Sequence, residues 1–137
     1  MSSYQKGFGA YERGNYDTAL KEWRPLAKQG LSQAQYNLGL MYAEGEGVAQ
    51  DYQEAVRWYR LAAEQGHASG QFSLGAMYTA GQGVSKDYVF AHMLWNLAAA
   101  KGKKKAVNKR DILEKRMTAD QLAEAQRLAR EWKPKRK

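Results

Sequence analysis

The sequence predicts an all-α fold, a right-handed α-solenoid of about four antiparallel helical hairpins, and three observations carry that expectation. Residues 33–66 and 69–102 are two versions of one segment set 36 residues apart, with 15 of 34 aligned positions identical. Self-similarity at a period of roughly 20–50 residues marks stacked supersecondary units, because one unit alone cannot bury its apolar face. Within each version, shared apolar residues recur at intervals of three and four, the spacing that places side chains on one face of a helix. Between these stretches lie Gly45 and Gly47 in one version and Gly81 and Gly83 in the other, so each unit reads as helix, turn, helix. The 137 residues then form a single repeat domain: an N-terminal hairpin over 1–32, repeats over 33–68 and 69–103, capping helices over 104–132 and a basic tail over 133–137.

The N-terminal hairpin follows from register. Tyr16, Ala19, Trp23, Leu26, Ala27 and Gly30 fall 36 residues before Tyr52, Ala55, Tyr59, Ala62, Ala63 and Gly66, so a second helix (helix B) is present here too. Its partner, helix A, surrounds Phe8 to Tyr11, and the turn from Glu12 to Asn15 is expected to be five residues shorter than the other loops.

In the first repeat, Ala34, Leu38, Met41 and Tyr42 give helix A over 33–44, and Ala55, Tyr59, Ala62 and Ala63 give helix B over 52–65. Asp51 with Glu54 has the spacing of a capping box. Gly66 stands where a left-handed helix end is wanted, since glycine takes positive φ without a Cβ clash. Gly39 and Gly75 lie inside helices, where glycine costs about 1 kcal/mol relative to alanine. Their presence in both versions therefore implies a close approach by an aromatic or a neighbouring backbone. The expected fillers are Tyr42 with Tyr59, and Tyr78 with Trp95. Val48 and Val84 follow the glycine pairs and are expected to drop back between the helices.

Downstream the pattern breaks. Arg110 stands where the repeat has leucine, and no Gly-x-Gly follows. Helices are still expected over 104–116, from Val107, Ile112 and Leu113, and over 119–132, where Thr118 with Gln121 forms a capping box ahead of Leu122, Ala125, Leu128, Ala129 and Trp132. A solenoid needs such an atypical end unit with a polar outer face to stay soluble.

Leu38-Gly39-x-x-Tyr42 followed by Ala55-x-x-x-Tyr59 resembles the tetratricopeptide pattern, with Gln35 where that family often has Trp. The 36-residue period, the Gly-x-Gly-Val turn and the ending Leu61-Ala62-Ala63-Glu64-Gln65-Gly66-His67-Ala68 resemble the SLR family, the Sel-one-like repeats. That resemblance implies a non-catalytic adaptor or scaffold that binds a protein or peptide on its concave face. In tetratricopeptide-like stacks the A helices line this face, so residues off their packing stripe are the ones a ligand reaches. By position these partner-binding candidates are Gln33, Tyr36, Leu40 and Glu44 in one repeat and Ser69, Phe72, Ala76 and Ala80 in the next. Tyr36, Phe72 and Leu40 have a structural alternative, packing against neighbouring units. The two repeats differ at these positions, Leu40 against Ala76 and Glu44 against Ala80, as surfaces do where the scaffold does not dictate them.

Catalytic, metal and cofactor roles find no support. There is no cysteine, and His67 and His92 do not have the paired spacing of metal ligands. The Gly-x-Gly segments join two helices instead of following a strand, so they do not match a phosphate-binding fingerprint. His67, just past a helix end, is placed to favour that end when charged. Glu44 and Glu46 beside a turn read as solvated loop acids.

The net charge of +8 is uneven: residues 1–100 carry 8 Lys/Arg against 9 Asp/Glu, and residues 101–137 carry 14 against 5. Part of that excess suits the carbonyl end of the preceding helix. The alternative function is docking on nucleic acid or an anionic membrane through Lys103, Lys104, Lys105, Lys109 and Arg110 with Lys133, Lys135, Arg136 and Lys137. No stacking aromatics or base-reading motif accompany the charge, which weighs against nucleic acid. No apolar run approaches the roughly 18 residues that would span a membrane. A soluble cytoplasmic protein is expected, or a periplasmic or secreted one if a signal peptide has been removed, as a monomer or with weak self-association through a repeat end.

Overall fold

The structure, a computed structural model, describes residues 1–135. Its helices are α1 (Ser3–Glu12), α2 (Tyr16–Lys28), α3 (Ser32–Glu44), α4 (Tyr52–Glu64), α5 (Ala68–Ala80), α6 (Tyr88–Ala100), α7 (Lys104–Glu114) and α8 (Ala119–Glu131), with no strand among the described residues. Consecutive helices pair as α1/α2, α3/α4 and α5/α6, and each B helix packs on the next A helix, so the chain is an all-α solenoid. None of these helices is long and apolar enough to cross a membrane.

Each hairpin is locked in the same way. A Cβ built on Gly39 would lie 2.5 Å from Tyr59 Cδ1, and one on Gly75 would lie 2.5 Å from Trp95 Nε1. Alanine at either position would force the rings apart, which explains glycines inside helices that otherwise disfavour them. Only half of each expected filler pair makes this contact. Tyr59 and Trp95 press on the glycines, whereas Tyr42 and Tyr78 pack in the layers between hairpins. The first hairpin repeats the arrangement with Gly7 under Trp23.

A second aromatic from helix A covers each of these rings: Tyr4 on Trp23 at 5.9 Å between centroids, Tyr36 on Tyr59 at 5.8 Å and Phe72 on Trp95 at 6.2 Å. Trp23 and Trp95 each donate their indole N–H to the backbone oxygen of the covering residue, Tyr4 and Phe72, at 3.1 and 3.0 Å. Their buried polar atoms are thus satisfied as well as their area. Matching Gly7 with Gly39 shows the first loop to be four residues shorter than the later ones, three residues (13–15) against seven (45–51), not five.

The long loops use Gly45 and Gly47, both at positive φ. Gly47 lies against Tyr16 and Gly83 against the backbone of Tyr52, so each loop seats on the start of the preceding B helix. Asp51 accepts from the Glu54 amide at 3.1 Å, but Glu54 turns to Arg57 at 3.2 Å instead of returning to Asp51, so only half of the expected capping box forms. Both halves are present at Thr118 with Gln121, and also at Ser2 with Gln5.

The C-terminal unit closes differently. Helix α8 packs on α6 instead of on α7, and its Leu128 and Ala129 join the cluster of Met93, Leu94 and Leu74. Helix α7 buries only Ala106 and Leu113, so it offers a following helix little apolar surface. Beyond α8 the Lys135 amide donates to Glu64 O at 2.7 Å and its ammonium sits 3.1 Å from Glu64 Oε2, tying the chain end to α4. Of the basic tail, Arg136 and Lys137 lie outside the described residues.

Candidate functional site

The A helices α1, α3, α5 and α7 are joined edge to edge by a repeated junction. Helix α4 ends with His67 N–H donating to Ala62 O at 3.1 Å and Gly66 N–H to Ala63 O at 2.9 Å, with Gly66 at φ +91. This 6→1, 5→2 pair is a Schellman motif. The same bonds recur at Gly30 with Leu31 and at Gly102 with Lys103. In all three, the residue after the glycine is also the N-cap of the next A helix.

At His67 this double duty fixes the ring. Nδ1 accepts from the Gly70 amide at 3.0 Å, so Nε2 carries the proton and donates to Gln33 Oε1 at 2.8 Å. Burial, with Lys103 and Lys101 nearby, holds the imidazole pKa below its ordinary value. His67 is therefore a neutral helix-start cap, not the charged helix-end partner expected from its position.

Three glutamines, Gln35, Gln65 and Gln71, belong to these junctions. Gln35, buried where the tetratricopeptide pattern has Trp, donates to Ala27 O at 3.1 Å, while Gln65 donates to both Gly30 O and Gln35 Oε1 at 2.9 Å. One unit on, Gln71 donates to Ala63 O at 3.3 Å and Lys101 replaces Gln65, donating to Gly66 O. The carbonyl end that Lys101 serves is thus that of α4, one unit earlier than the helix it follows.

The eight sequence-chosen residues fall into two halves. Gln33 is bonded to His67, Tyr36 lies between Tyr59 and His67, Ser69 accepts from Lys103 Nζ at 2.9 Å, and Phe72 lies between Trp95 and the Lys103 ammonium. These four side chains form the joints between units. Leu40 is half-buried, and Glu44, Ala76 and Ala80 are exposed on the same helices one to two turns further along.

Sequence reasoning stopped this surface too early. With α1 aligned through Gly7, Phe8 takes the position of Leu40 and Glu12 that of Glu44; Ile112 on α7 and Arg116 in the turn after it fall 36 residues after Ala76 and Ala80. Phe8 is 46% and Ile112 59% exposed, two of the four large apolar side chains left open among the described residues. The row Phe8, Leu40, Ala76, Ile112 therefore runs the length of the stack. The signal was available in the register, but α1 needed the Gly7–Trp23 contact to set its offset, and α7 was discounted because Arg110 breaks the pattern.

The basic residues are not one patch. Lys101, Lys103 and Lys135 are taken by the contacts above, and Arg110 donates to Asn96 Oδ1 at 3.0 Å and sits 3.2 Å from Asp111 Oδ1. Lys104, Lys105, Lys109 and Lys133 remain exposed. Near the opposite end, Tyr11 donates to Glu46 Oε1 at 2.7 Å, and burial together with that carboxylate pushes the phenol pKa up, so Tyr11 stays a donor.

Comparison with known proteins agrees with this architecture. A protective antigen present in uropathogenic Escherichia coli strains, described as displaying an SLR fold, superposes with a TM-score of 0.91 at 34% identity over 95% of this chain and 29% of that one. A Sel1 repeat protein from Oxalobacter formigenes superposes with a TM-score of 0.75 at 33% identity, over 80% of this chain and 47% of its own. The chain thus spans less than half the length of either structure. No protein of curated function matches it. The Sel1 repeat model matches residues 32–67 and 68–103, the two units that share the Gly-x-Gly loop and the glycine-on-aromatic lock, and together they exceed half of the chain. By its sequence, its repeat geometry and its solved neighbours alike, this protein belongs to the Sel1 repeat family.

Proposed function

We propose that the chain is a non-catalytic scaffold that holds a protein or peptide along the concave face formed by its A helices. Sel1 repeat proteins generally act as protein-interaction scaffolds and are typically not enzymes. The observation that carries the placement is the apolar row of exposed Phe8, Ala76 and Ile112 with half-buried Leu40, on helices whose Gln33, Tyr36, Ser69 and Phe72 are taken up by the joints between units. A few apolar anchors flanked by polar groups supply most of the affinity in such interfaces, with the flanking groups fixing register.

Tyr36 and Phe72 act mainly through the scaffold, so substituting them would test stability more than recognition. The cleaner variant is Leu40→Asp with Ile112→Asp, compared with wild type by crosslinking capture at matched helicity in circular dichroism. Loss of the captured proteins is expected, and undiminished capture would overturn the assignment of this face.

A further inference from the structure

Along the same face the charge changes sign from one end to the other. The position after the apolar row reads Glu12, Glu44, Ala80, Arg116 from α1 to the turn that follows α7. On α7, Lys105, Lys109 and Ile112 recur at intervals of four and three, which puts two cations and one apolar side chain on a single stripe, and Arg116 lies in the turn just past the end of that helix. All four are exposed. The helix's own acids do not neutralise them: Asp111 is held by Arg110, and Glu114 is held by His92 at 2.8 Å with Arg110 at 3.9 Å. Among the described residues, no carboxylate lies within ion-pair distance of Lys105, Lys109 or Arg116. Beside the stripe is a cavity of about 270 Å³ whose floor is apolar, with Tyr88, Trp95 and Leu113, and whose rim carries Lys109 and Arg116.

Resting on the reading of the A-helix face as the docking surface, we propose that its partner is an extended acidic–apolar polypeptide segment bound in one direction. Its carboxylates dock on Lys105, Lys109 and Arg116, an apolar side chain enters beside Ile112, and its far end, neutral or basic, runs toward Glu44 and Glu12. The cavity's apolar floor selects a side chain with hydrocarbon to bury, which a phosphodiester backbone lacks. The acids at the other end repel a uniform polyanion that follows the whole face, while a polypeptide can match both signs. Charge complementarity of this kind fixes register and direction and suppresses wrong partners more than it adds raw affinity.

The test uses the full chain and a fluorescein-labelled synthetic peptide with lysines at one end, leucines through the middle and glutamates at the other, read by anisotropy. Binding is expected, weakened by about tenfold or more in Lys109→Glu/Arg116→Glu. A nitroxide on the glutamate end should broaden the amide signals of Lys109 and Arg116 and spare that of Phe8. Circular dichroism checks that each variant is folded, and the milder Lys109→Ala/Arg116→Ala pair should weaken binding in the same direction. If Leu40→Asp/Ile112→Asp abolishes binding and the charge reversal leaves it unchanged, the docking face stands and the directional acidic partner is overturned. Binding indifferent to both variants overturns both readings. Failure of the peptide to bind, or its displacement through Lys109 and Arg116 by a single-stranded oligonucleotide or phosphatidylserine vesicles, overturns the acidic-polypeptide assignment.

Discussion

Two layers of the stack occupy the same positions 36 residues apart and are filled with opposite chemistry. Between α4 and α5 the layer holds Val56, Leu74 and Tyr78, with Arg60 placed 5.7 Å from the Tyr78 ring. Between α6 and α7 the same places hold His92, Arg110 and Glu114, with Asn96 bonded to Arg110. His92 is 1% exposed, as deeply buried as Leu74. The backbone is nevertheless continued: the Schellman junction at Gly102 matches those at Gly30 and Gly66. Glycines and junction bonds therefore set the path of the chain, while the residues between hairpins can be exchanged for a hydrogen-bonded set. A polar layer gives the solenoid a place to stop, since α7 then presents little apolar surface and α8 turns back to α6.

The largest effect should come from the apolar side of this comparison. Leu74→Ala removes a side chain with 1% exposure and should cost about 2–5 kcal/mol in denaturant unfolding. A smaller loss would mean that this layer collapses readily around a void.

On the polar side, Glu114→Ala strands the buried His92 Nε2–H and should cost about 1–3 kcal/mol. Grafting the other layer in place of all four residues, with His92→Val, Asn96→Arg, Arg110→Leu and Glu114→Tyr, should leave the melting temperature equal or raised, because buried ionic sets are often replaceable by packed apolar groups. A marked drop would show that the two layers are not interchangeable.

The smallest effect concerns His67. Its folded-state pKa is depressed from 6.5, so below that value the unfolded chain binds the proton more readily than the folded one. Stability should be full above about pH 6.5 and decline as pH falls through the folded-state value. His67→Asn keeps a helix-start cap without a titrating ring. The gap between wild type and this variant should therefore shift in favour of the variant as pH falls, and a gap independent of pH would remove the linkage.

The parts of the fold legible in the sequence were those the backbone requires. Gly39, Gly45, Gly47 and Gly66 have counterparts one period later because each has a geometric duty, and so the hairpins could be placed from their spacing. The packing partners of Gly39 were only half legible, since Tyr42 and Tyr59 are both aromatic and nothing in spacing says which ring lies on the glycine. His67 reads as a helix-end partner from its position, but a residue just after one helix is, in this fold, also the N-cap of the next. The return of α8 to α6 was not legible at all, for it depends on how little of α7 is apolar in three dimensions. Of the candidate site, Glu44, Ala76 and Ala80 lie open to solvent and Leu40 is half-buried. The other four, Gln33, Tyr36, Ser69 and Phe72, serve the joints, because exposure and packing share one helical period there.

The shared residues at the junctions also make the protein stiff. Leu31, His67 and Lys103 each end one hairpin and begin the next, so no slack segment lies between consecutive units. Pulled from its ends, such a chain has no linker to straighten. It resists as a spring until a whole unit gives way, releasing in one event the contour of 36 residues, roughly 120 Å when extended.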